Sequence, residues 1–229
     1  MTPRYGYGLV LLLIVSTYVL ALFAERRWLV AVLLAVQTAT VWQSLRVARA
    51  RPGLRLAGAV VFVLALAAAT LTAFTQWRVL TGVAFSAASA LYLLAPIAIV
   101  RDLGRRQRVD LQTMLGALAA YLLIGMAFGF AYSCVAAIQP GPLFGEQGDP
   151  SLADALFFSF VTVTTTGYGD HVPVSNPAQT IAVFEALTGQ LFLVTAVAKV
   201  VENWRPRNWN RDSSAVSSQG DDAAGGEVR

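Results

Sequence analysis

The sequence predicts an all-α membrane protein of six transmembrane helices, with a re-entrant half-helix between the last two. Three observations carry that expectation. Of 229 residues, 56% are hydrophobic and only 13% charged, too little charge for the surface of a soluble domain of this size. The apolar residues fall in blocks, and the basic residues between the blocks sort to one side.

Six blocks are long enough to span: Tyr5 to Ala24, Trp28 to Leu45, Leu56 to Phe74, Val79 to Val100, Leu111 to Ile138 and Ala178 to Val201. A hydrocarbon core needs roughly 17 to 25 helical residues. A seventh stretch, Leu152 to Val163, is too short to cross and sits between two spans, as a buried or re-entrant helix would. With the N-terminus placed in the cytoplasm, Arg26, Arg27 and Arg78 alone among the 17 Lys and Arg fall outside. The positive-inside rule therefore predicts cytoplasmic N- and C-termini. This sorting accounts for the net charge of +4 without any role in nucleic-acid binding. Cys134, the one cysteine, lies within the fifth block and leaves no disulfide or cysteine metal site to expect.

Four parts follow. Residues 1–100 form a four-helix transmembrane domain, 101–110 a basic cytoplasmic linker and 111–204 a helix, half-helix and helix unit. The tail 205–229, rich in Ser, Gly, Ala and Asp without apolar period, is expected to be disordered. In the third part the outer helix is 111–138, the half-helix 151–164 and the inner helix 178–202. The link from Gln139 to Pro150 carries three prolines and three glycines, unsuited to helix. Asp149-Pro150-Ser151 reads as a helix start, with Ser151 and Asp154 at capping-box spacing.

A half-helix running inward from there aims its carbonyl end at the middle of the membrane, where the partial negative charge favours a cation. The chain must then return outward as extended backbone. Such backbone is tolerated at membrane depth only when buried in protein or lining a water-filled path, so something polar passes here. Gly167 and Gly169 flank Tyr168, and glycine adopts the backbone angles that turn successive carbonyls to one side. A stack of such oxygens replaces the water around a dehydrated cation.

Thr164-Thr165-Thr166-Gly167-Tyr168-Gly169-Asp170 resembles the potassium-channel signature, and the helices around it resemble that family's pore unit over about 111 to 202. The resemblance implies a tetrameric potassium-channel pore fold, a homotetramer with one filter strand (165–169) per chain. It implies K+ sites on the oxygens of Thr165, Thr166, Gly167 and Tyr168, with Gly169 completing the filter, and no cofactor beyond permeant K+. Thr166 replaces the family's usual Val or Ile, which leaves a weakly selective cation channel as an alternative. A non-conducting membrane protein that uses the pore fold for assembly is another. Asp170, Val161 and Glu185 are expected to support the filter, Val161 standing where some members carry a glutamate and Phe157, Phe158 and Tyr168 forming an aromatic cuff. Gly189 falls where the family often has an inner-helix hinge; close packing of a small residue is the competing reading. His171 is either solvated loop or a proton sensor.

Val79 to Val100 contains no Arg or Lys, whereas steep voltage gating requires several charges moving through the field at about 2.3 kcal/mol each per 100 mV. The first four helices therefore do not read as a voltage sensor. Arg101, Arg105, Arg106 and Arg108 are positioned to meet anionic headgroups, at about 1 kcal/mol per basic residue near the surface. A plasma membrane, prokaryotic by the compact Ala- and Arg-rich chain, is the expected location. No paired carboxylates or nucleophile–base set suggests an enzyme.

Overall fold

A computed structural model describes residues 6–23, 27–47, 53, 56, 58–60, 63, 67, 78–104 and 111–202. The helices are α1 (Gly6–Leu22), α2 (Arg27–Val47), α3 (Arg78–Gly104), α4 (Leu111–Ile138), the half-helix α5 (Leu152–Val163) and α6 (Asn176–Glu202). One 3-10 turn, Gly145–Gln147, interrupts the link that composition marked as non-helical. Most of the expected span 56–74 lies outside the described residues, as do linker residues 105–110 and the tail 205–229. Among the described residues, three helices are long and apolar enough to cross a membrane: Thr81–Gly104, Leu111–Ile138 and Asn176–Lys199. Tyr7–Leu22 is a shorter apolar helix.

The centre of the molecule is α4, whose side chains enter two apolar cores. On one side Ala119, Leu123, Met126 and Phe130 meet Tyr7, Val10 and Ile14 of α1, Val41 and Leu45 of α2, and Leu91, Tyr92, Ala95 and Ile99 of α3. On the other, Tyr121, Ile124, Phe128 and Tyr132 meet Leu143 and Phe144 of the link and Ala155, Phe158 and Val163 of α5. Gly125 and Gly129, one turn apart on α4, bring α5 close. A Cβ on Gly125 would lie 2.8 Å from the Phe160 ring, and one on Gly129 would lie 2.5 Å from Leu156 Cδ2 and 3.1 Å from the Leu156 Cα. Small residues of this kind let membrane helices approach where large ones hold them apart. The reversed order of the pairs, 125 with 160 and 129 with 156, means α5 runs against α4 and so heads back the way α4 came.

α3 continues past Pro96, which has no N–H to donate to the Tyr92 carbonyl one turn earlier. The Tyr92 side chain has a polar problem of its own. It is 1% exposed, and among the described residues its hydroxyl has no hydrogen-bond partner. Thr17 and Thr40 are beside it, but both give their protons to carbonyls of their own helices, Leu13 at 2.8 Å and Val36 at 2.7 Å, and so offer it acceptor oxygens only. An unpaired buried hydroxyl costs about 1–3 kcal/mol. Tyr92→Phe is therefore expected to raise the thermal midpoint of the detergent-solubilised protein by about 2–4 °C per kcal/mol relieved; a fall on differential scanning fluorimetry would mean the hydroxyl is bonded after all.

Candidate functional site

The half-helix is set at its start by a complete capping box. Ser151 Oγ accepts from the Asp154 amide at 3.2 Å, and Asp154 Oδ2 accepts from the Ser151 amide at 3.0 Å. Both orphan donors of the first turn that this motif serves are thereby satisfied. At the other end Thr164 caps the helix in right-handed conformation, its amide donating to the Phe160 carbonyl at 3.1 Å and its hydroxyl to the same oxygen at 2.6 Å.

From Thr165 the backbone changes hand at every second residue: φ is +59° at Thr165, +58° at Gly167 and +89° at Gly169. The amides of this segment turn back to the helix end. Thr165 donates to the Thr162 carbonyl at 2.9 Å, and Thr166 and Gly167 both donate to the Val161 carbonyl, at 2.9 and 3.4 Å. Alternating backbone of this kind gathers N–H groups on one concave side. The two glycines take these angles freely. Thr165 does not, and a β-branched residue at positive φ is a conformational outlier of the kind that persists only where surrounding structure imposes it.

Val161 thus supports the segment through its carbonyl and not its side chain. Asp170 is exposed, and no hydrogen bond holds its side chain among the described residues. Thr166 Oγ1 lies 2.9 Å from Thr164 Oγ1. The expected aromatic cuff needs correcting. Phe157 stacks parallel to Tyr168, centroids 6.2 Å apart, but Phe158 points behind the half-helix to Tyr132 and Phe144, at 4.8 and 5.1 Å. Nor is His171 merely solvated: it stacks on Phe144 at 4.8 Å, meets Gln147 Oε1 through Nδ1 at 2.6 Å, and its Nε2 stands 4.0 Å from Asp154.

Glu185, fully buried on α6, joins three helices. Its Oε2 accepts from Tyr132 of α4 at 2.7 Å, and its Oε1 meets the hydroxyl of Ser159 on α5. A second tyrosine of α4, Tyr121, donates at 2.8 Å to the carbonyl of Val163, the last residue of α5. Sequence reasoning missed Tyr121, Tyr132 and Ser159. A tyrosine within a span signals that its hydroxyl needs a partner, but nothing in spacing says which.

Gly189 is where α6 touches the end of α5. A Cβ there would stand 2.7 Å from both the Val163 carbonyl oxygen and its Cγ2. Backbone on the far side leaves no cheap relief for a side chain here, which favours close packing, and α6 runs unbroken through the position. The sign of one substitution separates the readings. Gly189→Ala removes about 1 kcal/mol of helix penalty, so a pure hinge would become more stable and open less. Packing predicts the reverse, a lower thermal midpoint and less assembled protein on gel filtration.

Residues 117–204 match the Ion channel family (Ion_trans_2). The chain is 39% identical over 90 residues to Potassium voltage-gated channel protein shk-1 of Caenorhabditis elegans, covering 36% of this chain and 17% of the relative. It is 34% identical over 80 residues to Inward rectifier potassium channel Kirbac3.1 of Paramagnetospirillum magnetotacticum, covering 35% and 25%. It is 38% identical over 82 residues to Potassium voltage-gated channel subfamily KQT member 1 of Squalus acanthias, covering 32% and 12%. The chain thus spans a quarter or less of the length of these relatives. No solved structure matches it. The matched stretch takes in most of α4, then α5, the segment of alternating hand and α6, and over that stretch the chain is similar to ion channels, which are not enzymes.

Proposed function

We propose that this chain is one subunit of a homotetrameric, potassium-selective channel that conducts passively across a plasma membrane, prokaryotic by its Ala- and Arg-rich composition. The observation that carries the reading is the alternating backbone at Thr165, Gly167 and Gly169, with its amides drawn back onto the end of α5. That leaves oxygens of Thr165, Thr166, Gly167 and Tyr168 to serve as K+ ligands, a dehydrated cation exchanging water for carbonyls. The names of the relatives, potassium channels all, point the same way. One strand cannot surround an ion. α6 leaves Val183, Phe184, Leu187, Leu191, Val194 and Val197 exposed, an apolar surface available for three further copies around the axis and for lipid. Six spans, both termini in the cytoplasm and anionic headgroups at Arg101, Arg105, Arg106 and Arg108 complete the proposal.

The polar contact between Thr166 and Thr164 favours one competing reading, a weakly selective cation channel. Bi-ionic reversal potentials on the purified protein in planar bilayers decide between them: selectivity for K+ displaces the reversal potential far from zero when Na+ replaces K+ on one side. No K+ current at all, across pH, lipid composition and voltage, overturns both in favour of a non-conducting assembly.

Voltage gating by α3 is not expected. Arg78 at its start is spent on the link and the end of α4, with Nη2 at 3.4 Å from both Asp149 Oδ2 and the Ala136 carbonyl. Both partners of that ion pair are largely in solvent, where such a pair is worth less than about 1 kcal/mol. Open probability should therefore vary little with voltage, and Arg78→Gln should leave that dependence unchanged; a steep curve abolished by the substitution would make α3 a sensor.

A further inference from the structure

We infer that Tyr18, on the first helix, is a positioning residue for the filter, acting through the ring of Phe160; the inference rests on the channel reading above. Tyr18 and Phe160 form an edge-to-face pair, centroids 5.7 Å apart and planes 80° to each other. The pair joins α1 to α5, elements far apart in the sequence. The Phe160 ring is also confined by α4, since a Cβ on Gly125 would come within 2.8 Å of it. So a side chain from the N-terminal domain and a bare patch of α4 backbone together fix where residue 160 sits.

The position of residue 160 matters because its carbonyl is where the segment of alternating hand is hung. That oxygen takes both the amide and the hydroxyl of Thr164, and the same hydroxyl oxygen lies 2.9 Å from Thr166 Oγ1. The next carbonyl, Val161, holds the amides of Thr166 and Gly167. Displacing the ring of Phe160 therefore moves the attachment of Thr164, Thr166 and Gly167. Through these contacts the N-terminal domain reaches the site at the filter end, and its influence should appear in permeation and open-state lifetime.

Two substitutions disturb the ring in different ways. Tyr18→Leu removes the edge-to-face contact while keeping an apolar side chain, and Gly125→Ala places a methyl group against the ring. Tyr18→Phe keeps the contact and serves as the rescue. The measurements are single-channel open times and the K+/Na+ permeability ratio of the reconstituted full chain, with gel filtration and thermal midpoint to confirm that each variant assembles. Tyr18→Leu and Gly125→Ala should shift open time or permeability ratio by about 2- to 10-fold, the span of an aromatic pair's energy, while Tyr18→Phe stays at the wild-type values. Assembled variants with wild-type open times and ratios overturn the positioning role and leave the channel reading standing. Should Gly125→Ala fail to assemble, Tyr18→Leu decides alone. A wild-type protein that passes no K+ removes both.

Discussion

Gly167→Ala and Gly169→Ala are each expected to abolish K+ conductance, although neither substitution meets an obstacle. A Cβ at either position has no atom within 4 Å in the subunit, so the effect is conformational. At φ of +58° and +89° an L-residue is disfavoured by about 1–2 kcal/mol, and in a tetramer the penalty falls on four strands at once. The segment relieves it by rotating a peptide plane. Because the Gly167 amide is held to the Val161 carbonyl at only 3.4 Å, that bond yields first, and the carbonyls next to it leave the ion path. Flux of K+ from loaded liposomes should drop by more than about tenfold, the factor that corresponds to 1.4 kcal/mol in a single equilibrium. D-alanine at position 167, introduced by semisynthesis, has mirrored backbone preferences and should restore flux. If L-alanine at both positions leaves flux and selectivity intact, the segment 165–169 is not the path.

Much of this site was legible because its chemistry is local. Ser151 and Asp154 announce a capping box three residues apart, and Gly167 and Gly169 announce the positive φ values that the structure carries. Thr165 gave no such sign, since its +59° is imposed by the amides on either side bonding back to α5 and not by its own preference. Within the subunit Phe157 stacks on Tyr168 while Phe158 turns to Tyr132 and Phe144, since consecutive residues on a helix do not share a face. What no spacing encodes is contact between distant elements. An ionisable residue in a span demands a partner, and Glu185 advertised that need, but Tyr132 and Ser159 lie on two other helices. The same holds for Tyr18 against Phe160, and for His171, whose stacking on Phe144 depends on how the link folds back.

Glu185→Ala is expected to give the largest loss of stability in the chain, and Glu185→Gln a much smaller one. Removing the carboxyl leaves the hydroxyl of Tyr132, itself fully buried, without an acceptor, a cost of about 1–3 kcal/mol. It also opens a void between α4, α5 and α6, for which large-to-small substitutions elsewhere cost about 2–5 kcal/mol. A net loss of about 3 kcal/mol per subunit, at about 2–4 °C per kcal/mol, places the thermal midpoint well below wild type. Glutamine keeps the shape and both existing contacts. Ser159 Oγ sits within reach of both the Gly125 carbonyl, at 2.6 Å, and Glu185 Oε1, yet a hydroxyl has one proton to give. The glutamine amide donates one N–H to Ser159, Ser159 donates to Gly125, and the glutamine oxygen accepts from Tyr132, which leaves only the second amide N–H to place. Tyr132→Phe removes the donor instead, and in combination with Glu185→Ala it should cost less than the two changes summed, because the stranded hydroxyl is gone; the coupling in that double-mutant cycle is expected at about 1 kcal/mol or more. Scanning fluorimetry of the assembled protein reads all four variants. A midpoint for Glu185→Ala within about 2 °C of wild type would mean that the three helices are held by their apolar contacts and that the carboxyl braces nothing.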